Sequence, residues 1–149
     1  IMAYSIAVQQ GGSTDENNYN NTTTITPICK VGIKLTTSSG QDTLAVDLGD
    51  IVPASVTANA GIQFIGIQSD VAGTAKIRDT GPADLISIAM TAGQSVLGAR
   101  DDSDNSIPVN FTVPTSGNNL HEFLFDKTTT TDTGDISIEI FFNRTLTIT

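Results

Sequence analysis

Apolar residues in this chain recur at every second position. From Ile136 the run ISIEIFFNRTLTIT puts Ile136, Ile138, Ile140, Phe142, Leu146 and Ile148 on one side. Ser137, Glu139, Asn143, Thr145, Thr147 and Thr149 fall on the other, with Phe141 and Arg144 out of step. A period of two is that of a strand buried on one face. Val31, Ile33 and Leu35 alternate in the same way, as do Leu44, Val46 and Leu48, and Ile86, Ile88 and Met90. So do Ile107, Val109, Phe111 and Val113, and at the start of the chain Met2, Tyr4, Ile6 and Val8. GIQFIGIQ around Phe64 and LHEFLF around Phe123 are shorter and more continuously apolar, which predicts central strands or strands covered on both faces. Phe64, Phe111, Phe123 and Phe125 are thereby assigned to core faces. Helical spacing is scarce, and Thr, Val and Ile dominate, residues whose branched side chains lose rotamer freedom in a helix. One short helical turn at 55–61 or at 91–99 is the most that the pattern allows.

Turn-forming clusters punctuate these runs: QQGGSTDENN, TSSGQD, DVAGT, DTGPAD, DDSDNS, PTSGNN and TTDTGD. Their spacing predicts an all-β, single-domain β-sandwich or jelly roll of eight or nine antiparallel strands. Residues 1–10 read as an N-terminal strand or arm, 11–26 as a flexible polar linker, and 27–149 as the sandwich. An arm on such a tether can pair with its own domain or with a neighbouring subunit.

Charge narrows the possible partners. The chain has 149 residues, 16 acidic and 7 basic, for a net charge of −9. Seven scattered cations cannot neutralise a phosphate track, so nucleic acid is excluded as a partner. An anionic membrane surface would repel the chain, and no apolar run is long enough to span a bilayer. The opening IMAYSIAVQQ lacks the basic and long apolar regions of a signal peptide.

The candidate chemistry is sparse. Cys29 and His121 are the only residues of their kinds, too few for a zinc site. Cys29 fits the apolar face of the strand it opens, and His121 flanks another strand. The acidic cluster Asp101, Asp102, Asp104 and Asn105 offers hard oxygen ligands at close spacing, which makes Ca²⁺ the one candidate cofactor. It lacks the glycine and the distal glutamate of an EF-hand loop, and a solvated acidic turn explains it more simply. Asp-Thr-Gly occurs at 79–81 and 132–134, but the second lies in a polar loop without the apolar flanks of an aspartic-protease motif, and the tripeptide is an ordinary turn sequence. Asn20, Asn21, Asn110 and Asn143 open N-x-[ST] triplets, as a chain with 10 Asn and 22 Thr does by chance. Tryptophan is absent and only Tyr4 and Tyr19 represent tyrosine, so an aromatic platform for sugars is weakly supported. No catalytic constellation emerges, and the chain reads as non-enzymatic.

The segment from Thr80 to Phe142 runs TGPADLISIAMTAGQSVL, SIPVNFTVPTSGNNLHEFLF and TGDISIEIFF. In layout it resembles the small β-sandwich and jelly-roll proteins of viral particles, such as phage head decoration (cement) proteins and minor capsid proteins. That resemblance implies a virion-surface structural protein that forms a homo-oligomer, plausibly a trimer, and docks on a capsid lattice. Two alternatives stand beside it. One is an extracellular or cell-surface fibre or pilus subunit assembling by strand exchange, and the other is a calcium-dependent binding module. For assembly, the expected interface is Met2, Tyr4, Ile6 and Val8 of the arm, together with Phe141, expected to stand exposed on a polar strand face.

Overall fold

The structure is a computed structural model and describes residues 4–13, 18–48, 62–78, 83–107, 109–113 and 120–143. The described residues form eleven strands, all paired antiparallel, and no helix. Among the described residues, strand β1 (Ile6–Ser13) pairs only with β2 (Asn18–Ile25), as a separate two-stranded sheet. The body is a sandwich of two sheets. A five-stranded sheet contains β3 (Cys29–Thr37), β11 (Gly134–Phe142), β5 (Ile62–Ser69), β8 (Gln94–Arg100) and β9 (Ser106–Ile107), in that order. A four-stranded sheet contains β4 (Thr43–Asp47), β10 (Glu122–Lys127), β6 (Gly73–Arg78) and β7 (Asp84–Met90), in that order.

The period-two pattern determines which side chains line the interior. Ile136, Ile138, Ile140 and Phe142 of β11 and Ile65 and Ile67 of β5 face Ala75 and Ile77 of β6 and Phe123 and Phe125 of β10 in one core. The more continuous GIQFIGIQ and LHEFLF runs are the strands β5 and β10, each flanked by neighbours on both sides of its sheet. The expected helical turn at 91–99 is instead a turn leading into β8. Its Val96 enters the core while Leu97 and Ala99 face outward against a second apolar cluster, so both faces are covered and no alternation shows. The 55–61 segment lies outside the described residues. β6 is a strand that the pattern did not reveal, because its inward positions include Gly73 and Ala75, too small to register as a hydrophobic period.

Two further expectations change. Residues Asn18–Ile25, read as linker, form β2 in register with β1, from Ile6 opposite Ile25 to Ser13 opposite Asn18. The run 107–113 is a strand only as far as Ile107. Beyond Pro108, which has no N–H to give a ladder, Asn110 pairs with Leu97 in another way. Its N–H donates to the Leu97 carbonyl, and its side-chain oxygen accepts from the Leu97 N–H.

Lys127, at the end of β10, is buried at 8% exposure. Its ammonium donates to the carbonyls of Ser38 (3.0 Å), Thr130 (2.8 Å) and Asp132 (2.8 Å). One side-chain cation thus ties the β10–β11 loop to the β3–β4 turn. Lys127→Met keeps the methylene stem and removes the charged donor from these carbonyls, which keep only their bonds from the Gln41 N–H, the Gly40 N–H and the Thr37 hydroxyl, so unfolding free energy should drop by about 1–3 kcal/mol in a urea melt. Gly73 is a second sensitive point, because an added Cβ would collide with the Asp126 carbonyl and the Phe125 ring. Gly73→Ala should cost about 1–3 kcal/mol through overpacking. Gly32→Ala, where the nearest atom is Lys30 Cε at 3.6 Å, should change stability by less than about 0.5 kcal/mol.

Candidate functional site

The outer face of the five-stranded sheet divides in two. Antiparallel register aligns Lys30, Phe141, Phe64, Ala99 and Ile107 in one row across its strands. The adjacent row holds Gly32, Glu139, Gly66 and Leu97, and the next holds Lys34, Ser137, Gln68 and Ser95. The first row is apolar over most of its length and the last is polar. Between them, Gly66 floors a shallow groove of about 210 Å³ walled by Phe64, Gln68, Ser95, Leu97 and Glu139.

The N-terminal hairpin lies over the apolar row. Val8 and Ile25 are 3% and 0% exposed and form a cluster with Ala99 and Ile107, against which Ile6, Phe64 and Leu97 also pack. This cluster is distinct from the sandwich core. Tyr4 meets the Phe141 ring edge to face at 5.2 Å and 81°, and Phe64 meets it at 5.6 Å and 83°. Lys30 Nζ sits 5.6 Å from the Phe141 centroid and 3.0 Å from Glu139 Oε1. Phe141, expected exposed, is therefore only 7% exposed. It does break the alternation outward, but Tyr4, Phe64 and the Lys30 stem cover it. Phe64 likewise belongs to this outer row and not to the core between the sheets. Of the other arm residues, Tyr4, Ile6 and Val8 all take part in the contact, whereas Met2 lies outside the described residues. Burying Val8 and Ile25 contributes about 1.5–3 kcal/mol apiece, enough to keep the hairpin seated without a backbone ladder to the body.

The acidic cluster anchors the hairpin's exit. Asp102 Oδ1 accepts from the Thr26 N–H (3.0 Å) and from Gln63 Nε2 (2.7 Å), and its Oδ2 accepts from the Thr26 hydroxyl (2.7 Å). A bulge between β11 and β5, where Phe141 and Phe142 face Phe64 and Ile62, leaves Gln63 as the extra residue. Gln63 is 1% exposed, and among the described residues its Oε1 has no hydrogen-bond partner. Asp101 turns the other way, accepting from the backbone N–H groups of Ser103 and Asn105 and from the Asn105 amide. Asp104, in the left-handed region at φ 68°, pairs with Arg100 at 2.8 Å. The four residues proposed as calcium ligands are thus neighbours whose carboxylates are engaged in three separate directions. Among the described residues no group of three or more His, Cys, Asp or Glu side chains is placed to hold a metal ion.

The remaining candidates stay apart. Cys29 opens β3 in the five-stranded sheet, and His121 adjoins β10 in the four-stranded sheet. Lys34, Lys76 and Arg78 are paired with Asp135, Asp126 and Asp84, and Lys127 is buried, so among the described residues no basic patch remains.

No family model matches the chain, and no curated protein matches it. Among solved structures, the chain is similar to the coat protein of Tobacco streak virus, solved as a dimer, at 14% identity. That match covers 80% of this chain and 89% of the other, with a TM-score of 0.31.

Hydrogen bonds from Gln63 and from the Thr26 hydroxyl and N–H hold the Asp102 carboxyl below its ordinary pKa. A carboxylate depressed in the folded state adds stability above its unfolded pKa and loses it as pH falls through the lowered value. The Asn105 N–H and amide hold Asp101 down in the same sense. The hairpin should therefore stay seated from neutral pH down to the ordinary carboxylate range and loosen only below it. Amide hydrogen exchange checks this: exchange in β1 and β2 should accelerate in strong acid before exchange in β5 and β11. Asp102→Ala should produce the same selective acceleration already at neutral pH.

Proposed function

We propose that this protein is a non-enzymatic structural assembly protein, a virion component of the capsid-decoration or minor-capsid kind. It oligomerises, with a trimer the expected form, and docks on a protein lattice at the virion surface. The observation that carries this reading is the N-terminal hairpin, a two-stranded sheet of its own held on the body by side chains. A body with its own complete core gains nothing in chemistry from such an appendage, but an assembling subunit gains a portable apolar surface. The acidic, Thr-rich surface fits repeated display in water better than contact with nucleic acid or anionic lipid.

Solution mass by light scattering, with and without EDTA, tests the reading. A discrete oligomer indifferent to EDTA is expected, and open-ended polymers would point to the fibre alternative. Deleting residues 1–10 should lower the oligomer mass while leaving the circular dichroism of the sandwich in place. An oligomer unchanged by that deletion would remove the arm from the interface.

A further inference from the structure

We infer that the outer face of the five-stranded sheet carries a binding trough for a neutral sugar, two rings long, beside the seated hairpin. Every group in it belongs to one chain, so the site stands apart from the assembly reading. Two hollows make the trough. The first is the groove of about 210 Å³ floored by Gly66. The second, of about 270 Å³, lies further along the same strands among Lys34, Asp70 and Asp135. Gln68 and Ser137 line both, which makes the hollows neighbours in one channel. Each is smaller than the roughly 300–1,000 Å³ of a typical ligand pocket, so each has room for a single ring.

The chemistry of the walls selects the occupant. Alternation along the chain assigns Phe64 to the core and so leaves no aromatic platform for a sugar. The structure turns that ring outward and lays it over Gly66, where an added Cβ would sit 2.7 Å from Phe64 Cε1. Phe64 and Leu97 thus give the first hollow an apolar wall. Gln68, Ser95 and Ser137 supply an amide and two hydroxyls. Among the described residues none of these three side chains is hydrogen-bonded to protein. They differ in this from Asp101, Asp102 and Asp104, whose carboxylates are all engaged. A sugar ring has an apolar C–H face rimmed by hydroxyls that donate and accept, and it matches an apolar wall beside unpaired amide and hydroxyl groups.

Charge narrows the class further. Glu139, Asp70 and Asp135 border the trough, while Lys30 and Lys34 are already paired with Glu139 at 3.0 Å and Asp135 at 3.1 Å. Carboxylates accept strongly from hydroxyl donors. They repel a carboxylated or sulfated sugar, in a chain whose net charge is −9.

Titrating isotope-labelled protein with lactose, maltose and cellobiose at millimolar concentration, read by amide chemical shifts, tests the site. At least one of the three should give saturable shifts centred on Gly66, Gln68, Ser95 and Ser137. Sialyllactose should bind about tenfold more weakly than the tightest of them, or worse. Gln68→Ala with Ser137→Ala should weaken binding about tenfold and leave the urea melt unchanged. Saturable shifts with none of the three sugars, shifts centred elsewhere, or a folded double variant that binds as tightly as wild type would overturn the site. A preference for sialyllactose would overturn the neutral assignment.

Discussion

An apolar row on the outside of a β-sheet has to be covered, and much of the arrangement follows from that. Phe141 and Phe64 stand side by side on the face of β11 and β5 that looks away from the core, with Ala99 and Ile107 continuing the row across β8 and β9. In water these side chains would expose a contiguous apolar patch. The hairpin supplies Tyr4, Ile6, Val8 and Ile25 as its cover. Where the hairpin sits on this row, the molecule is thus three layers deep.

Polar anchoring then decides how firmly the cover sits. Gln63 exists as a buried amide only because the bulge gives β5 one residue more than β11. Its partner Asp102 also receives Thr26, so one carboxylate links the second strand of the hairpin, the core edge and the β8–β9 turn. Lys127 does comparable work at the opposite end of the body, where three carbonyls converge on its ammonium. Both devices make a side-chain charge hold loops together, and in both the charge is satisfied by short hydrogen bonds. The acidic cluster therefore has a structural task before any ligand is considered.

How much of this could be read beforehand varied by element. The strands of strongest alternation, β3, β4, β7 and β11, stand out because large apolar residues mark their inward positions. β6 and β8 are hidden by Gly73, Ala75, Gly98 and Ala99, residues whose burial leaves no hydrophobic signature. β2 is hidden differently: NYNNTTTI has the composition of a linker, and only its pairing with β1 makes it a strand. In the candidate site, Tyr4, Ile6, Val8 and Phe141 were legible as a departure from alternation and an isolated apolar arm. Ile25, Phe64, Ala99 and Ile107 were not, because their convergence depends on register between strands distant in the chain. Gln63 offered no signal at all, since a bulge is a property of two strands aligned.

The sequence by itself determined the all-β class, the inward face of each long strand and the oddity of Phe141, because side-chain alternation is a local consequence of strand geometry. Tertiary structure alone decided that Phe141 is buried, that the linker-like segment is a strand, and that Asp102 grips Thr26. Those outcomes are set by which strands become neighbours and in what register, and pairings between residues as distant in the chain as Cys29 and Phe142 are written in no single stretch of it.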